Sequence, residues 1–401
     1  MLITKKIKTL LFISSISFLG ACSNFNNSST ATNPLAQSST NRAQAINLKS
    51  LESIDKISSK LTKHRVVFVG ESHTSYSDHL NQLAVIKSLH KHWGKQTSIG
   101  LEMVQQPYQG FLDKYIAGKI SEKDMLRGIE WYDRWKFDFR LYRPIFDYAK
   151  QHNIPLVALN IPKELTKRIT KVGIDNLSKK ERQQLPAVID RSNKKYVNRI
   201  KNVFGGHAHT SSKGFEKFLD AQLGWDEGMA FAASKYLKKN PSKHMVIVAG
   251  SGHVINYEGI PDRLDRQLHT KSAVILNDAN GGTLKNAGDY LLFSPEQKLP
   301  QIGLFGIGMN NASTVRKGAK GVIVSMVSQH GAAKKAGLKK GDIIIGLNNQ
   351  AVQDIVDIRV FAETTKPGDK VSIKIKRHNK TQTLKATLKS KISRMSFSHK
   401  K

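Results

Sequence analysis

Arg65-Val-Val-Phe-Val-Gly70-Glu71-Ser72-His73 is the stretch of sequence that decides the fold. A short run of β-branched and aromatic residues that stops at glycine and polar residues is typical of a buried parallel strand. An amphipathic segment follows from His79 to Trp93, with apolar residues at helical spacing. A buried strand followed by a helix predicts an α/β domain.

The same alternation of strand and helix continues to about residue 277. Residues 162–240 interrupt it with a stretch that is predicted to be almost entirely helical. We therefore expect a mostly parallel sheet flanked by helices, with right-handed crossovers and a helical insertion at about 162–240. Further strands are predicted at Ser98 to Glu102, Ile154 to Asn160, Met245 to Gly250 and Ser272 to Leu276, with one short strand near Tyr290 to Phe293 in the linker that follows.

Polar residues stand where four of these strands end: Glu71 and His73, then Glu102, then Asn160, then His253 in Gly-Ser-Gly-His. Because the carboxyl ends of parallel strands share one edge of a sheet, these side chains are expected to meet in space. Two imidazoles and two carboxylates suit a divalent cation or acid–base catalysis. Each residue alone is more often structural, so the prediction depends on their coincidence at equivalent strand ends.

The amino-terminal residues are typical of a secretory signal, with lysines, then an apolar run, then small residues up to Cys22, the only cysteine. Leu19-Gly20-Ala21-Cys22 resembles the lipobox of bacterial lipoproteins, which implies cleavage before Cys22 and lipid attachment to it. The residue after Cys22 is Ser23 and not aspartate, which resembles the pattern of lipoproteins that continue to the outer membrane. We expect an outer-membrane lipoprotein facing the periplasm. The alternative is an unlipidated signal peptide with a chance cysteine.

The formal net charge of +33 raises the question of nucleic-acid binding. The positive excess is spread along the chain and the signal removes a cytoplasmic role, so no nucleic-acid partner is expected. Attraction to anionic lipid surfaces or acidic ligands fits better. A generally basic proteome would produce the same charge.

Composition divides the chain into successive segments. Residues 22–46 are rich in Ser, Asn, Thr and Ala and too poor in large apolar residues to fold, so they are predicted to be a flexible tether. Glycines and prolines mark a linker before a small β-rich domain. The predicted segments are signal peptide 1–21, tether 22–46, α/β domain 47–280, linker 281–300, β-rich domain 301–390 and basic tail 391–401.

Residues 65 to 277 resemble the ChaN family of haem-uptake lipoproteins, in the superfamily that includes the Tiki proteases and TraB-like proteins. The resemblance is carried by Gly70-Glu-Ser-His73, Gly100-Leu-Glu-Met103, Gln222-Leu-Gly-Trp-Asp-Glu-Gly-Met-Ala230 and Gly250-Ser-Gly-His253 with Gly259-Ile-Pro-x-Arg-Leu264.

The two branches of this superfamily imply different functions. Resemblance to the Tiki proteases implies a metal-dependent hydrolase, in which Glu71, His73, Glu102 and His253 hold Mn, Co or Zn. Resemblance to ChaN implies a non-catalytic dimer that holds haem in a shared apolar pocket with Tyr or His near the iron. The candidate haem ligands are His207, His209, Tyr196 and Tyr257.

The segment from Gln301 to Leu388 resembles the PDZ domains of bacterial HtrA-type proteases, most clearly in Gly331-Ala-Ala-Lys-Lys-Ala-Gly-Leu-Lys-Lys-Gly-Asp-Ile-Ile344. The resemblance implies that Leu304-Phe305-Gly306-Ile307 is the loop that accepts the carboxylate of a peptide C-terminus. The sequence contains no Gly-x-Ser-x-Gly and no serine-protease triad precedes the domain, so serine hydrolysis is not expected. The alternative is a PDZ fold used only for packing.

Three interpretations follow from the sequence. The first is a non-catalytic lipoprotein for haem or iron uptake, whose PDZ domain binds a partner's C-terminus. The second is a metal-dependent hydrolase to which the PDZ domain presents peptide. The third is an envelope scaffold with a degenerate site. Whether the chain is an enzyme therefore stays open.

Overall fold

The computed structural model describes residues 48–205, 212–277, 286–315, 318–378 and 380–390. The chain divides into two units. The first ends at Leu51 and is described only as a 3₁₀ helix, Leu48–Ser50. The second, from Glu52 onward, contains every element discussed below. Among the described residues, no helix is both long enough and apolar enough to cross a membrane.

The amino-terminal part of the second unit is built on a six-stranded sheet in the order β3-β2-β4-β1-β5-β6, with every pair parallel. The predicted mostly parallel α/β fold is therefore confirmed. The strands are β1 (Val66–Glu71), β2 (Thr97–Gln105), β3 (Leu156–Asn160), β4 (His244–Gly250), β5 (Ala273–Asn277) and β6 (Tyr290–Leu292).

Both faces of this sheet are buried, which explains why its strands are continuous apolar runs. Along β1, Val67 and Val69 belong to one core and Val66 and Phe68 to the other. The first core is covered by α1 (Ile54–Leu61), α2 (Tyr76–Trp93), α3 (Gln109–Ile116), α4 (Glu122–Gly128), α5 (Trp131–Arg134) and α6 (Arg143–Gln151).

The helical insertion lies between β3 and β4. It has a core of its own, to which Ile161, Ile169 and Leu223 contribute. Its helices are α7 (Lys163–Val172), α8 (Lys179–Arg182), α9 (Lys194–Gly205) and the long α10 (Ser212–Lys239). The carboxyl-terminal half of α10 and α11 (Ile260–Leu268) cover the second face of the sheet.

The carboxyl-terminal part is an antiparallel sheet in the order β12-β11-β9-β8-β7, with β10 paired to β9. Its strands are β7 (Ile307–Asn311), β8 (Val322–Val327), β9 (Ile343–Leu347), β10 (Gln350–Ala351), β11 (Lys370–Arg377) and β12 (Lys380–Thr387), and its helices are α12 (Ala332–Lys335) and α13 (Ile355–Glu363). Phe305, Ile358 and Ile373 belong to its core. β7 is an edge strand of this sheet in the described part of the chain.

The two domains contact each other along α13. Arg127 on α4 pairs with Asp354 at 2.6 Å and with Asp357 at 2.7 Å. Arg143 on α6 pairs with Glu363 at 2.8 Å. One helix of the carboxyl-terminal domain therefore lies against the α/β domain through a row of partly buried ion pairs.

Candidate functional site at the sheet edge

The pairing of the strands brings three sequence-distant motifs together. Glu71 at the end of β1 is in register with Gly250 at the end of β4, and β2, which carries Glu102, pairs with the other side of β4. The His73 ring lies over Gly250, where an added Cβ atom would be only 2.8 Å from the ring Cε1. A side chain at position 250 would therefore displace the imidazole, which explains the need for glycine there.

The first half of the site is an imidazole held by a buried carboxylate. His73 Nδ1 lies 2.5 Å from Glu71 Oε1. The second oxygen, Glu71 Oε2, is buried and has no hydrogen-bond partner among the described residues, and its ion-pair contact with His79 Nε2 is long, at 3.9 Å. A buried carboxylate oxygen in this position costs free energy unless something binds it.

Glu102 joins the two halves of the site. Its Oε2 accepts a hydrogen bond from the Gly250 N–H at 2.6 Å, and its Oε1 lies 3.4 Å from His253 Nε2. Glu71, His73 and Glu102 each offer one ligand atom, and these atoms lie within 4.8 Å of one another. One imidazole nitrogen and two carboxylate oxygens form a donor set that suits Zn or Mn.

The second half of the site is a buried hydrogen-bond chain from the helical insertion. Asp226 on α10 accepts from His253 Nδ1 at 2.5 Å and from the Tyr196 hydroxyl at 2.7 Å. The Arg263 guanidinium lies 4.5 Å from the centre of the Tyr196 ring. Asp226 was not among the predicted site residues, although Trp225-Asp226-Glu227 belongs to a motif that carries the family resemblance.

Neighbouring carboxylates raise the pKa of both imidazoles. Burial favours the neutral form of His73, but the charge of Glu71, the hydrogen bond to it and the charge of Glu102 outweigh burial and raise its pKa to about 9. Burial opposes the charge on His253 as well, yet Asp226 and Glu102 raise its pKa. Despite its own burial, Asp226 has a lowered pKa because His253 and Arg263 stabilise its charge.

Aromatic rings form one wall of the site. The ring centre of His73 lies 4.7 Å from that of Trp135 and 5.0 Å from that of Phe137. The two imidazoles remain partly accessible, with 28% of the His73 side chain and 16% of the His253 side chain exposed. Because the carboxylates are buried below them, a ligand would meet the imidazoles first.

Two of the four candidate haem ligands, Tyr196 and Tyr257, belong to the part of the chain that the structure describes. Tyr196 is buried, and its hydroxyl is engaged with Asp226. Tyr257 is half-buried, and burial and the neighbouring Asp289 raise its pKa. His207 and His209, like Cys22, lie outside the described residues.

The two helices that precede and follow His207 and His209 in sequence carry an aromatic cluster. The Phe204 ring near the end of α9 lies 5.6 Å from Phe215 and 5.2 Å from Phe218, near the start of α10. All three rings are half-buried. Sequence reasoning missed this cluster, because phenylalanine at helical spacing is indistinguishable from ordinary core.

The predicted carboxylate-binding loop is a tight turn. Leu304 pairs with Lys389 through N–H to O contacts of 2.8 and 3.2 Å, and the buried Phe305 accepts from the Ala333 N–H. Gly306 has φ of +75°, and an added Cβ atom would lie 2.8 Å from the backbone of Gly331. This positive φ and this close approach require glycine. The next residue, Ile307, begins the edge strand β7.

The fold and the site define a two-domain protein: a parallel α/β domain with an imidazole–carboxylate cluster at its sheet edge, followed by a small antiparallel domain in which β7 is an edge strand among the described strands. The model of the family described as haem-binding uptake, Tiki superfamily, ChaN matches residues 57–264, and the chain belongs to that family. The PDZ domain model matches residues 303–388. The predicted resemblances to the ChaN family and to PDZ domains are thereby confirmed.

The similar proteins of known name match the PDZ region of the chain. Serine protease Do-like HtrB of Bacillus subtilis is 40% identical over 88 residues, which is 22% of this chain and 17% of the relative. A probable periplasmic serine endoprotease, DegP-like, of Brucella suis is 36% identical over 69 residues, or 17% of this chain and 14% of the relative. The chain thus spans only a small part of these relatives' length.

Two solved structures are similar to parts of the chain. A structure titled cofacial heme binding to ChaN of Campylobacter jejuni covers 60% of this chain and 91% of its own, with 18% identity and a TM-score of 0.49. The HtrA-type protease AlgW with decapeptide covers 23% of this chain and 30% of its own, with 25% identity and a TM-score of 0.22.

Proposed function

We propose that this chain is a haem-handling protein of the bacterial envelope, whose α/β domain binds haem and whose PDZ domain binds a protein C-terminus. Membership of the haem-binding uptake family supports the first half of the proposal. The observation that carries it in this chain is the aromatic cluster of Phe204, Phe215 and Phe218. A porphyrin requires an apolar surface of this kind beside a nitrogen or oxygen ligand.

The sheet-edge cluster fits haem less well than these helix ends do. Both ring nitrogens of His253 face carboxylates, and His73 Nδ1 is held by Glu71. Carboxylates placed this close suit a small cation rather than a porphyrin face. We therefore assign haem to the ends of α9 and α10, with His207 and His209 as the axial candidates.

Charge near the aromatic cluster also favours this assignment. Lys201 on α9 and Lys217 on α10 are exposed. Haem carries two propionates, which bind lysine side chains by charge-assisted hydrogen bonds. Tyr196 is not part of the proposed site, because its hydroxyl holds Asp226 in the interior.

Haemin titration of the purified chain tests this proposal. Wild type should develop a saturable Soret band, and Phe204→Ala should weaken the binding. His207→Ala and His209→Ala should shift the band, while His152→Ala, an exposed histidine at the end of α6, should leave it unchanged. An unsaturable absorbance, or the same spectrum in every variant, would contradict the assignment. Gel filtration with and without haemin tests whether haem is held by a homodimer.

The proposed location is the periplasmic face of the outer membrane, through lipid on Cys22. One of the similar proteins described above is named as periplasmic, which supports an envelope location. Cys22→Ser should move the protein from the membrane fraction to the soluble fraction. Equal membrane association of wild type and variant would refute the lipid anchor.

A metal-dependent hydrolase is the second candidate function. The specific observation that favours it is the unpartnered Glu71 Oε2 beside His73 and Glu102. A divalent cation bound there would supply a Lewis acid and an activated water. Glu71, His73 and Glu102 would hold the cation, while Asp226 keeps a proton on His253 Nδ1 and so turns Nε2 toward Glu102.

Metal analysis of the purified chain distinguishes the two candidates. The hydrolase predicts bound Mn, Co or Zn and loss of peptide cleavage in Glu71→Ala. Haem handling alone predicts a Soret shift that Glu71→Ala leaves intact. A chain that gives neither result is the envelope scaffold with a degenerate site.

A further inference from the structure

One side chain of the α/β domain reaches into the PDZ domain. Tyr132 on α5 is half-buried and packs against the PDZ core, as do Ile307 and Met309 of β7. The Arg359 guanidinium of α13 lies 5.4 Å from the centre of the Tyr132 ring. The Tyr132 ring therefore contacts the PDZ domain and lies close to α13.

The neighbouring residue fixes α5 to the same two elements. Asp133 Oδ2 accepts a hydrogen bond from the Asn311 side chain, at the end of β7, at 3.0 Å. The oxygen of the same Asn311 side chain accepts from the Ile355 N–H, at the start of α13, at 2.8 Å. The short helix α5 therefore lies across the space between β7 and α13.

That space is where a PDZ domain accepts a peptide. The peptide adds as a strand to a free sheet edge and places its side chains between that strand and a helix. β7 is such an edge in the described part of the chain, and it directly follows the tight loop Leu304–Ile307. We infer that the α/β domain occupies its own PDZ groove through Tyr132, so that a peptide C-terminus binds only when the Tyr132 side chain is displaced. This inference rests on the proposed peptide binding by the PDZ domain.

The group that moves is the Tyr132 side chain rather than the whole domain. On α13, Val356 is part of the α/β core and Val360 packs against it. The ion pairs of Arg127 and Arg143 hold the same helix. By contrast, the Tyr132 side chain is only half-buried, while its neighbour Trp131 is 1% exposed and holds α5 in the α/β core.

Peptide affinity of the full chain provides the test. The probe is a fluorescein-labelled decapeptide with a free C-terminal phenylalanine carboxylate, measured by fluorescence anisotropy beside its amidated form. Tyr132→Ala should bind the acid about 10- to 100-fold more tightly than wild type, because a buried aromatic side chain no longer competes. Asp133→Ala, which removes only the bond to Asn311, should tighten binding by about threefold to tenfold. Tyr148→Ala on α6 is the matched control and should equal wild type.

The outcomes separate this inference from the function on which it rests. If wild type, Tyr132→Ala and Asp133→Ala bind the acid equally well, the groove is not self-occupied and peptide binding stands. If none of them distinguishes the acid from the amide, the proposed peptide recognition fails, and the inference fails with it.

Discussion

Replacement of Asp226 by asparagine shows whether a buried charge holds the second imidazole of the site. Asp226 is 1% exposed and accepts hydrogen bonds from His253 and from Tyr196. Asparagine has the same shape but carries no charge, and its amide nitrogen would face one of the two donors. The substitution therefore removes the charge and leaves one buried donor without an acceptor.

Asp226→Asn should lower the free energy of unfolding by about 3 kcal/mol. Removing one partner of a buried ion pair costs about 3–5 kcal/mol, and a buried unsatisfied donor about 1–3 kcal/mol. The lower end applies here, because His253 can respond by losing its proton. Tyr196→Phe removes a single hydrogen bond to a charged group and should cost about 1.5 kcal/mol. Asp175→Asn at an exposed ion pair should cost less than about 0.5 kcal/mol.

Urea unfolding followed by circular dichroism at pH 7 measures these differences. Because the pKa of Asp226 is lowered, its contribution is present above the usual value of 3.8 and is lost as pH falls through the lowered pKa. The gap between wild type and Asp226→Asn should therefore close in acid. An Asp226→Asn variant as stable as Asp175→Asn, or no less stable than Tyr196→Phe, would refute the assignment of a charge to this role.

Three further predictions concern the same cluster. Glu71→Gln should weaken Mn²⁺ binding, measured by calorimetry, at least about tenfold by removing a charged ligand. Glu296→Gln, at an exposed glutamate, should leave the affinity unchanged. Equal affinities of Glu71→Gln and wild type would argue against a cation site. Because the pKa of His73 is raised to about 9, the charge on His73 stabilises the metal-free protein fully below pH 6.5. The difference in unfolding free energy between wild type and His73→Asn should therefore decline as pH rises through about 9. A difference that grows over this range would contradict the assignment. Arg263→Met should destabilise the domain by about 3 kcal/mol in urea, since it removes the buried cation beside Asp226; unchanged stability would mean that the cation is not needed.

Much of the α/β fold could be predicted because its strands are buried on both faces. Met245 to Gly250 was predicted as a strand and lies in β4, which begins one residue earlier at His244. β2 extends to Gln105, beyond the predicted end at Glu102, because Met103 and Val104 are also buried. The order of the strands could not be derived, since periodicity does not specify which neighbour each strand pairs with.

The site illustrates the same limit. The rule that parallel strands end at one edge brought Glu71, His73, Glu102 and His253 together as expected. Asp226 could not be foreseen, because it reaches the edge from the middle of a helix in the insertion. Tyr132 was equally hidden in the sequence, since its contacts depend on how the two domains pack against each other.

The helix α10 connects the two proposed ligand sites and also separates them. Phe218, near its start, belongs to the aromatic cluster, and Asp226, eight residues later, supports the sheet-edge site. At 1.5 Å per residue the two positions are about 12 Å apart along the helix. Haem and a cation would therefore bind without sharing a ligand. Glu71→Gln should leave the Soret titration unchanged, and Phe204→Ala should leave cation binding unchanged. Loss of both activities in either variant would mean that one site serves both ligands.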